Sequence, residues 1–527
     1  MPKTIPNFIQ GEIFFLNIIP QKHNHETQKV EIDSLGTLQQ RCEPAWYKLY
    51  FAFDDYLKLR IKIAGRIVHT WIKREFGVCM AVSFLRHPVA SLGLLLLIGL
   101  GSCEGKASNK DTLPPIIFVP GYGMGALHVE AERKGRPPAN FDFLLPAMNP
   151  IEVFAQFRPP VANALDYALQ SGLDEADVGF VRDWLKLEIA ADGSARTRQG
   201  VRVRPVSIGK DFARECPRYA GMMKTLASKG WVANKTLDCI PFDYRFPPGG
   251  TQFAEDLKNL IISHVAQTEG TKVTIACHSQ GCLLAYQFLR TQDPAWLDRH
   301  VGLFFSLAGQ FSGCSDCLRC AFQKQWSWDS NNALVSPSDM TWVGELALGL
   351  QSSVYGEEIL YRWGESSYRA RDTRSFLLEA GALAIARATD HYALEKQKWF
   401  QKGERDQEPL PVPTRVVFGT ELPTTAGFAF ARESVPAPNC KQPQCGGLYS
   451  QDHPALIQTS GDQGDSGWMN RAPRQWLRNP ACEMKEFALV SHMEIFNHAE
   501  VLSLLAKTVR EIESGTDACT PTLTSRG

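Results

Sequence analysis

The chain has 527 residues, 44% of them hydrophobic and 21% charged, a globular composition that excludes a disordered or fibrous protein. Lys plus Arg equals Asp plus Glu at 56 each. That balance argues against a nucleic-acid partner, which usually goes with a basic excess. It leaves a lipid surface open, because zwitterionic lipid asks for apolar contact more than for charge.

Residues 1–79 hold short apolar patches, mixed charge and no motif, and read as an N-terminal extension of unknown role. Val89 to Cys103 (VASLGLLLLIGLGSC) is an almost unbroken apolar run, shorter than the ~20 residues of a spanning helix. Arg86 and His87 precede it, and Gly101 and Ser102 close it, the layout of a secretory signal. Three readings fit. Met80 starts the protein and 80–103 is a signal peptide, with 1–79 a gene-model artefact. Or 80–103 is an uncleaved signal anchor behind a cytoplasmic tail. Or the run is a buried helix. The first two send residues 104–527 into the secretory pathway, to be secreted, luminal or vacuolar/lysosomal. There the 14 cysteines would form disulfides, and the sequon Asn234-Lys235-Thr236 could carry a glycan.

After a polar linker at 104–113, Ile116 to Val119 reads as a buried strand that breaks at Pro120-Gly121. Residues 126–212 lack a clear period and carry Pro-rich patches, and read as an insertion over the core. Phe253, Leu257, Leu260, Ile261 and Val265 recur at helical spacing, and Gly270 ends that helix. Val273 to Cys277 is β-rich, and a helix follows from Gly281. Val301 to Leu307, Arg415 to Phe418 and Phe487 to Val490 read as further strands, and Asn497 to Lys507 as a C-terminal helix. Strands alternating with helices predict an α/β fold around a mostly parallel sheet.

Cys277-His278-Ser279-Gln280-Gly281 lies between a β-run and an amphipathic helix. This is the layout of the α/β-hydrolase nucleophile elbow, whose strained turn lifts a serine to the sheet edge and needs small residues on both sides. Gly281 fills one such position, and the small Cys277 stands in the other. Serine is a weak nucleophile without a histidine to take its proton and a carboxylate to orient that histidine. The fold orders them Ser, acid, His. Ser491-His492 follows the last predicted strand, so His492 is the expected base, with His498 the alternative. The acid should lie between the 415–418 strand and His492. Asp465, in the Gly/Asp cluster 460–467, is the choice, and Asp462 the reserve. The oxyanion donors expected are the backbone N–H groups of Gln280 and Tyr122.

These residues resemble the lecithin–cholesterol acyltransferase family, which includes lysosomal phospholipase A2 and phospholipid–diacylglycerol acyltransferase. Phe118-Val119-Pro120-Gly121 is like its oxyanion strand and loop, and Pro241-Phe242-Asp243-Tyr244-Arg245 like its Tyr-Asp-Trp-Arg block. Cys277 to Gln287, Pro294 to Arg299, Phe305 to Gly309, Pro337 to Trp342 and Gly419 to Thr424 are further similar blocks, in order across about 114–510. The resemblance implies one acyltransferase domain over 104–527, with a cap insertion at about 126–212 and a lid region at about 310–400. It implies a glycerophospholipid donor at a membrane or lipid-particle surface, and transfer to a sterol or other alcohol. Water as acceptor would give a phospholipase A, and no metal or cofactor is required. Two rivals are a silenced, lipid-binding hydrolase fold and a neutral lipase or esterase.

Two departures stand out. The family's acid motif, Gly-Asp-(Gly/Asp)-Thr-Val, is here Gly464-Asp465-Ser466-Gly467-Trp468. The cysteine-bracketed membrane loop has no counterpart, since no cysteine lies between Cys103 and Cys216. Apolar residues of the insertion, among them Phe141, Phe143 and Trp184, could offer a docking surface or form the cap's own core. Cys314, Cys317 and Cys320 read as a disulfide or lid staple, Cys440 or Cys445 as the partner of Cys482, and Cys282 as a buried free thiol.

Overall fold

The computed structural model describes residues 113–144, 181–313, 342–346, 352–379, 383–399, 409–430, 435–436, 448–449, 455–464 and 471–519. These belong to one compact unit, Ser108–Gly527. The apolar run at 89–103 and Cys314, Cys317, Cys320, Cys440 and Cys445 fall outside the described residues. Among those described, no helix is long and apolar enough to cross a membrane.

Six strands form the central sheet: β1 (Ile116–Val119), β2 (Leu237–Cys239), β3 (Val273–His278), β4 (Val301–Leu307), β5 (Thr414–Thr420) and β6 (Met484–Ala488). Their spatial order is β6-β5-β4-β3-β1-β2, and every pair is parallel. All residues of β1 and β3 are buried, as expected where both faces of a parallel sheet are covered. Val, Ile and Phe supply these runs because branched and aromatic side chains pack well on a pleated surface.

The flanking helices are α1 (Ala220–Ser228), α2 (Phe253–Gln267), α3 (Gln280–Thr291), α4 (Pro294–His300) and α5 (Ala499–Glu513). Asp293 caps α4 by accepting the Trp296 N–H at 2.9 Å, with Pro294 in the first turn. The apolar face of α5, Val501, Leu502, Leu505, Ala506 and Val509, is buried in the core. Strands, alternating helices and the sharp β3–α3 turn make this an α/β-hydrolase fold, as the sequence predicts.

Three details differ from the sequence-based expectation. Within 126–212 the described residues are regular: strands 136–143, 127–133 and 201–205 form an antiparallel sheet in that order. Pro137 and Pro138 mask its outermost strand, where a missing N–H is tolerated. Phe141 and Phe143 are fully buried and Trp184 nearly so, all within the main hydrophobic core, so they form no docking surface. β6 ends at Ala488, before the predicted Val490, because Leu489 turns into the left-handed region (φ 59°). Finally, two strands that precede β5 and two that follow it build a second sheet, ordered 366–369, 359–363, 422–430, 455–461.

Disulfides join Cys216 to Cys239, Cys277 to Cys282 and Cys482 to Cys519. The last two correct the sequence reading. Cys282 is no free thiol, and the partner of Cys482 is Cys519.

Candidate active site

Ser279 sits between β3 and α3 with φ 54° and ψ −130°, a conformation that a non-glycine residue holds only when its surroundings enforce it. What enforces it is close packing. A Cβ on Gly281 would stand 2.2 Å from the Pro120 carbonyl oxygen. A Cβ on Gly121 would stand 2.9 Å from both Ser279 Cβ and His278 Nδ1. The loop after β1 therefore lies directly against the elbow, and only glycine fits at both contacts. The serine is 5% exposed and precedes the N-terminus of α3, where the helix dipole favours developing negative charge.

His492 follows β6 and is nearly buried. Its Nδ1 lies 2.8 Å from Asp462 Oδ2, and its N–H donates to the Asp462 carbonyl at 2.7 Å. Because a carboxylate only accepts, Nδ1 carries the proton and Nε2 keeps a lone pair. Asp462 is fully buried, and its other oxygen accepts the Gly464 N–H at 3.0 Å. The turn is braced by Gln463, at φ 73°, whose N–H donates to Thr424 Oγ1 at 2.8 Å. β5 supplies the floor: a Cβ on Gly419 would meet the Val490 carbonyl oxygen at 1.7 Å and Asp462 Cβ at 3.0 Å.

Sequence reasoning favoured Asp465, which lies outside the described residues. The carboxylate bonded to His492 is that of Asp462, the reserve. Asp462 ends the 455–461 strand, so its position comes from a sheet the sequence reading did not contain. His498, the alternative base, is instead the N-cap of α5 and packs on Phe487 at a centroid distance of 5.5 Å.

Tyr122 is half-buried, its ring 5.2 Å from Tyr244 and 6.4 Å from Trp342. The Gly121 carbonyl accepts the Met124 N–H at 3.1 Å. Since a trans peptide points its carbonyl and N–H in opposite directions, that bond fixes the heading of the Tyr122 N–H. Gln280 is fully buried, and neither atom of its side-chain amide has a hydrogen-bond partner. Among the described residues no group of three or more His, Cys, Asp or Glu side chains is arranged to hold a metal.

His278 was missed as a site residue. It is fully buried, its ring 4.8 Å from that of His492 and 4.9 Å from Phe496. Burial, and to a lesser degree the charge of His492, hold its pKa well below the ordinary 6.5. The folded-state pKa is thus depressed, and below pH ~6.5 the unfolded chain binds a proton that the folded chain refuses. This contribution to stability is complete above pH ~6.5 and is lost as pH falls further, by about 1.4 kcal/mol per pH unit at most. Tyr219 and His492 are the titratable groups in contact with it. Denaturant unfolding of the wild type and His278→Gln from pH 7.5 to 5 should give a steeper loss in the wild type; parallel curves would refute it.

A model of the lecithin:cholesterol acyltransferase family matches residues 181–323, a stretch that holds the elbow. Phosphatidylcholine-sterol acyltransferase of Homo sapiens is 26% identical over 245 residues, 45% of this chain and 52% of that protein. Lecithin-cholesterol acyltransferase-like 1 of Arabidopsis thaliana is 22% identical over 440 residues, 80% of this chain and 95% of that protein. Lysosomal phospholipase A and acyltransferase of Homo sapiens is 24% identical over 340 residues, 59% and 73% of the two chains. The chain spans about half the length of the first of these relatives. The stretch 181–323, with the elbow inside it, is thus similar to the lecithin:cholesterol acyltransferase family, and the relatives matched over longer spans carry acyltransferase or phospholipase names.

Proposed function

We propose that this protein is a serine-dependent lipid acyltransferase with phospholipase A chemistry. His492 Nε2 takes the proton of Ser279, whose oxygen attacks an ester of a glycerophospholipid. The Tyr122 and Gln280 N–H groups stabilise the oxyanion, and a lysophospholipid leaves. Asp462 holds the His492 tautomer and offsets the imidazolium charge. The acyl-enzyme then passes its chain to an alcohol such as a sterol, or to water.

The observation that carries this reading is the Asp462–His492 bond at 2.8 Å beside an elbow serine at φ 54°. It counts against a silenced fold, which has no use for an oriented, buried imidazole. The lipid substrate is supported by the relatives' names, which speak of phosphatidylcholine, sterol and phospholipase A. Three disulfides support residues 104–527 as a domain of the secretory pathway.

The test uses vesicles of sterol and phospholipid labelled in its acyl chain, with wild type and Ser279→Ala. Labelled sterol ester from the wild type alone would make it a sterol acyltransferase. Labelled fatty acid alone would make it a phospholipase A. An inactive wild type indistinguishable from Ser279→Ala would overturn the reading.

A further inference from the structure

Tyr219 and His278 stand outside the reaction steps above, yet they join the three loops that the reaction needs. Tyr219 lies just before α1, is fully buried, and packs on Phe118 and Phe496 at centroid distances of 4.5 and 4.6 Å. Its hydroxyl oxygen is 2.9 Å from His278 Nδ1, and the Gly121 N–H donates to it at 2.9 Å. His278 Nε2 is 2.9 Å from the His492 carbonyl oxygen.

The proton positions follow from donor and acceptor chemistry alone. A carbonyl only accepts, so His278 Nε2 carries the ring proton. Burial keeps the ring neutral, so Nδ1 offers a lone pair. The single Tyr219 hydroxyl proton has two acceptors within reach, Nδ1 at 2.9 Å and Met124 Sδ at 3.1 Å; a thioether accepts only weakly, so the proton goes to Nδ1 and the oxygen accepts the Gly121 N–H. Burial raises the phenol pKa far above its ordinary value, so this proton stays in place. The result is a directional path from Gly121 N–H through Tyr219 and His278 to the His492 carbonyl.

We infer that Tyr219 and His278 are positioning residues that hold the loop after β1, the nucleophile elbow and the His492 loop in one register. The inference rests on the proposed serine mechanism. It adds a specific consequence: the Gly121 N–H is committed to Tyr219, so the loop's contribution to the oxyanion falls to the neighbouring Tyr122 N–H. With the Gly121 N–H held by Tyr219 and the Gly121 carbonyl by Met124, both peptides flanking Gly121 are fixed. Removing the phenol hydroxyl frees one of them while leaving the ring contacts in place. The hydroxyl therefore acts on the geometry of the transition state, more than on the fold or on substrate affinity.

The test compares the full chain with Tyr219→Phe, His278→Gln and His278→Leu. Each is assayed for thermal unfolding, for the extent and rate of labelling by a fluorophosphonate, and for kcat and KM on phospholipid vesicles. Tyr219→Phe is expected to unfold close to the wild type and to label to the same final extent. Its labelling rate and kcat should fall about 10- to 100-fold, with KM within about twofold, since loss of a whole oxyanion donor costs ~100- to 1,000-fold. A Gln amide can donate to the His492 carbonyl and accept from Tyr219, so His278→Gln should recover most of the kcat that His278→Leu loses. Wild-type kcat in Tyr219→Phe, or equal loss in His278→Gln and His278→Leu, overturns the inference and leaves the serine mechanism standing. A wild type that the fluorophosphonate does not label, or labels equally in Ser279→Ala, overturns both.

Discussion

Ser279→Ala is expected to lower kcat by ~10⁴-fold or more while leaving phospholipid binding and thermal stability nearly unchanged. The serine is the only atom donor to the covalent intermediate in the proposed mechanism, so its loss removes the whole two-step route. At 1.36 kcal/mol per factor of ten, the effect on the barrier is about 5 kcal/mol or more. The fold should tolerate the change. Alanine keeps the Cβ that lies against Gly121, and the strained φ of 54° is enforced by neighbours that remain. The measurement is initial rate on labelled phospholipid vesicles, with thermal unfolding of the same preparation. A residual rate within tenfold of wild type would mean that another group is the nucleophile.

Asp462→Asn should lower kcat by about 10⁴-fold, whereas Asp465→Asn should change it by less than about tenfold. An amide at Asp462 can turn its NH₂ toward Nδ1, which then must accept, so the proton moves to Nε2 and the base is lost. That wrong-tautomer penalty is of this order in other triads. Asp462 also accepts two backbone bonds, from Gly464 N–H on its side chain and from His492 N–H on its carbonyl. The substitution keeps the second and leaves the turn its shape, so unfolding should move little. Equal losses in the two variants, or a larger one in Asp465→Asn, would return the acid role to Asp465. Both enzymes should be compared over pH 5–8, because a variant that merely shifts the base's pKa would recover activity at one end.

The sequence by itself determined the β-run, elbow and helix around Ser279, the place of His492 and five of the six central strands, with β2 (Leu237–Cys239) missed. Each is a local pattern: an unbroken apolar strand, small residues beside a strained turn, an amphipathic period of 3.6. The strands β1 and β4 match their predicted ends because their boundaries fall at a Pro-Gly break and a buried turn.

Tertiary structure alone decided the rest. Asp462 and Asp465 are three residues apart in one Gly/Asp-rich stretch of sequence, and no local pattern separates them. Asp462 follows directly on the 455–461 strand, paired with 422–430, and reaches His492 from there. Cys277 and Cys282 read as a glycine substitute and a thiol, but the elbow doubles back and brings their Cα atoms to 4.9 Å. His278 and Tyr219 are 59 residues apart, and nothing near either residue signals the other. Hydrogen bonds over such separations depend on how the sheet stacks its loops at one edge. That stacking follows from packing of the whole core, which no window of sequence contains.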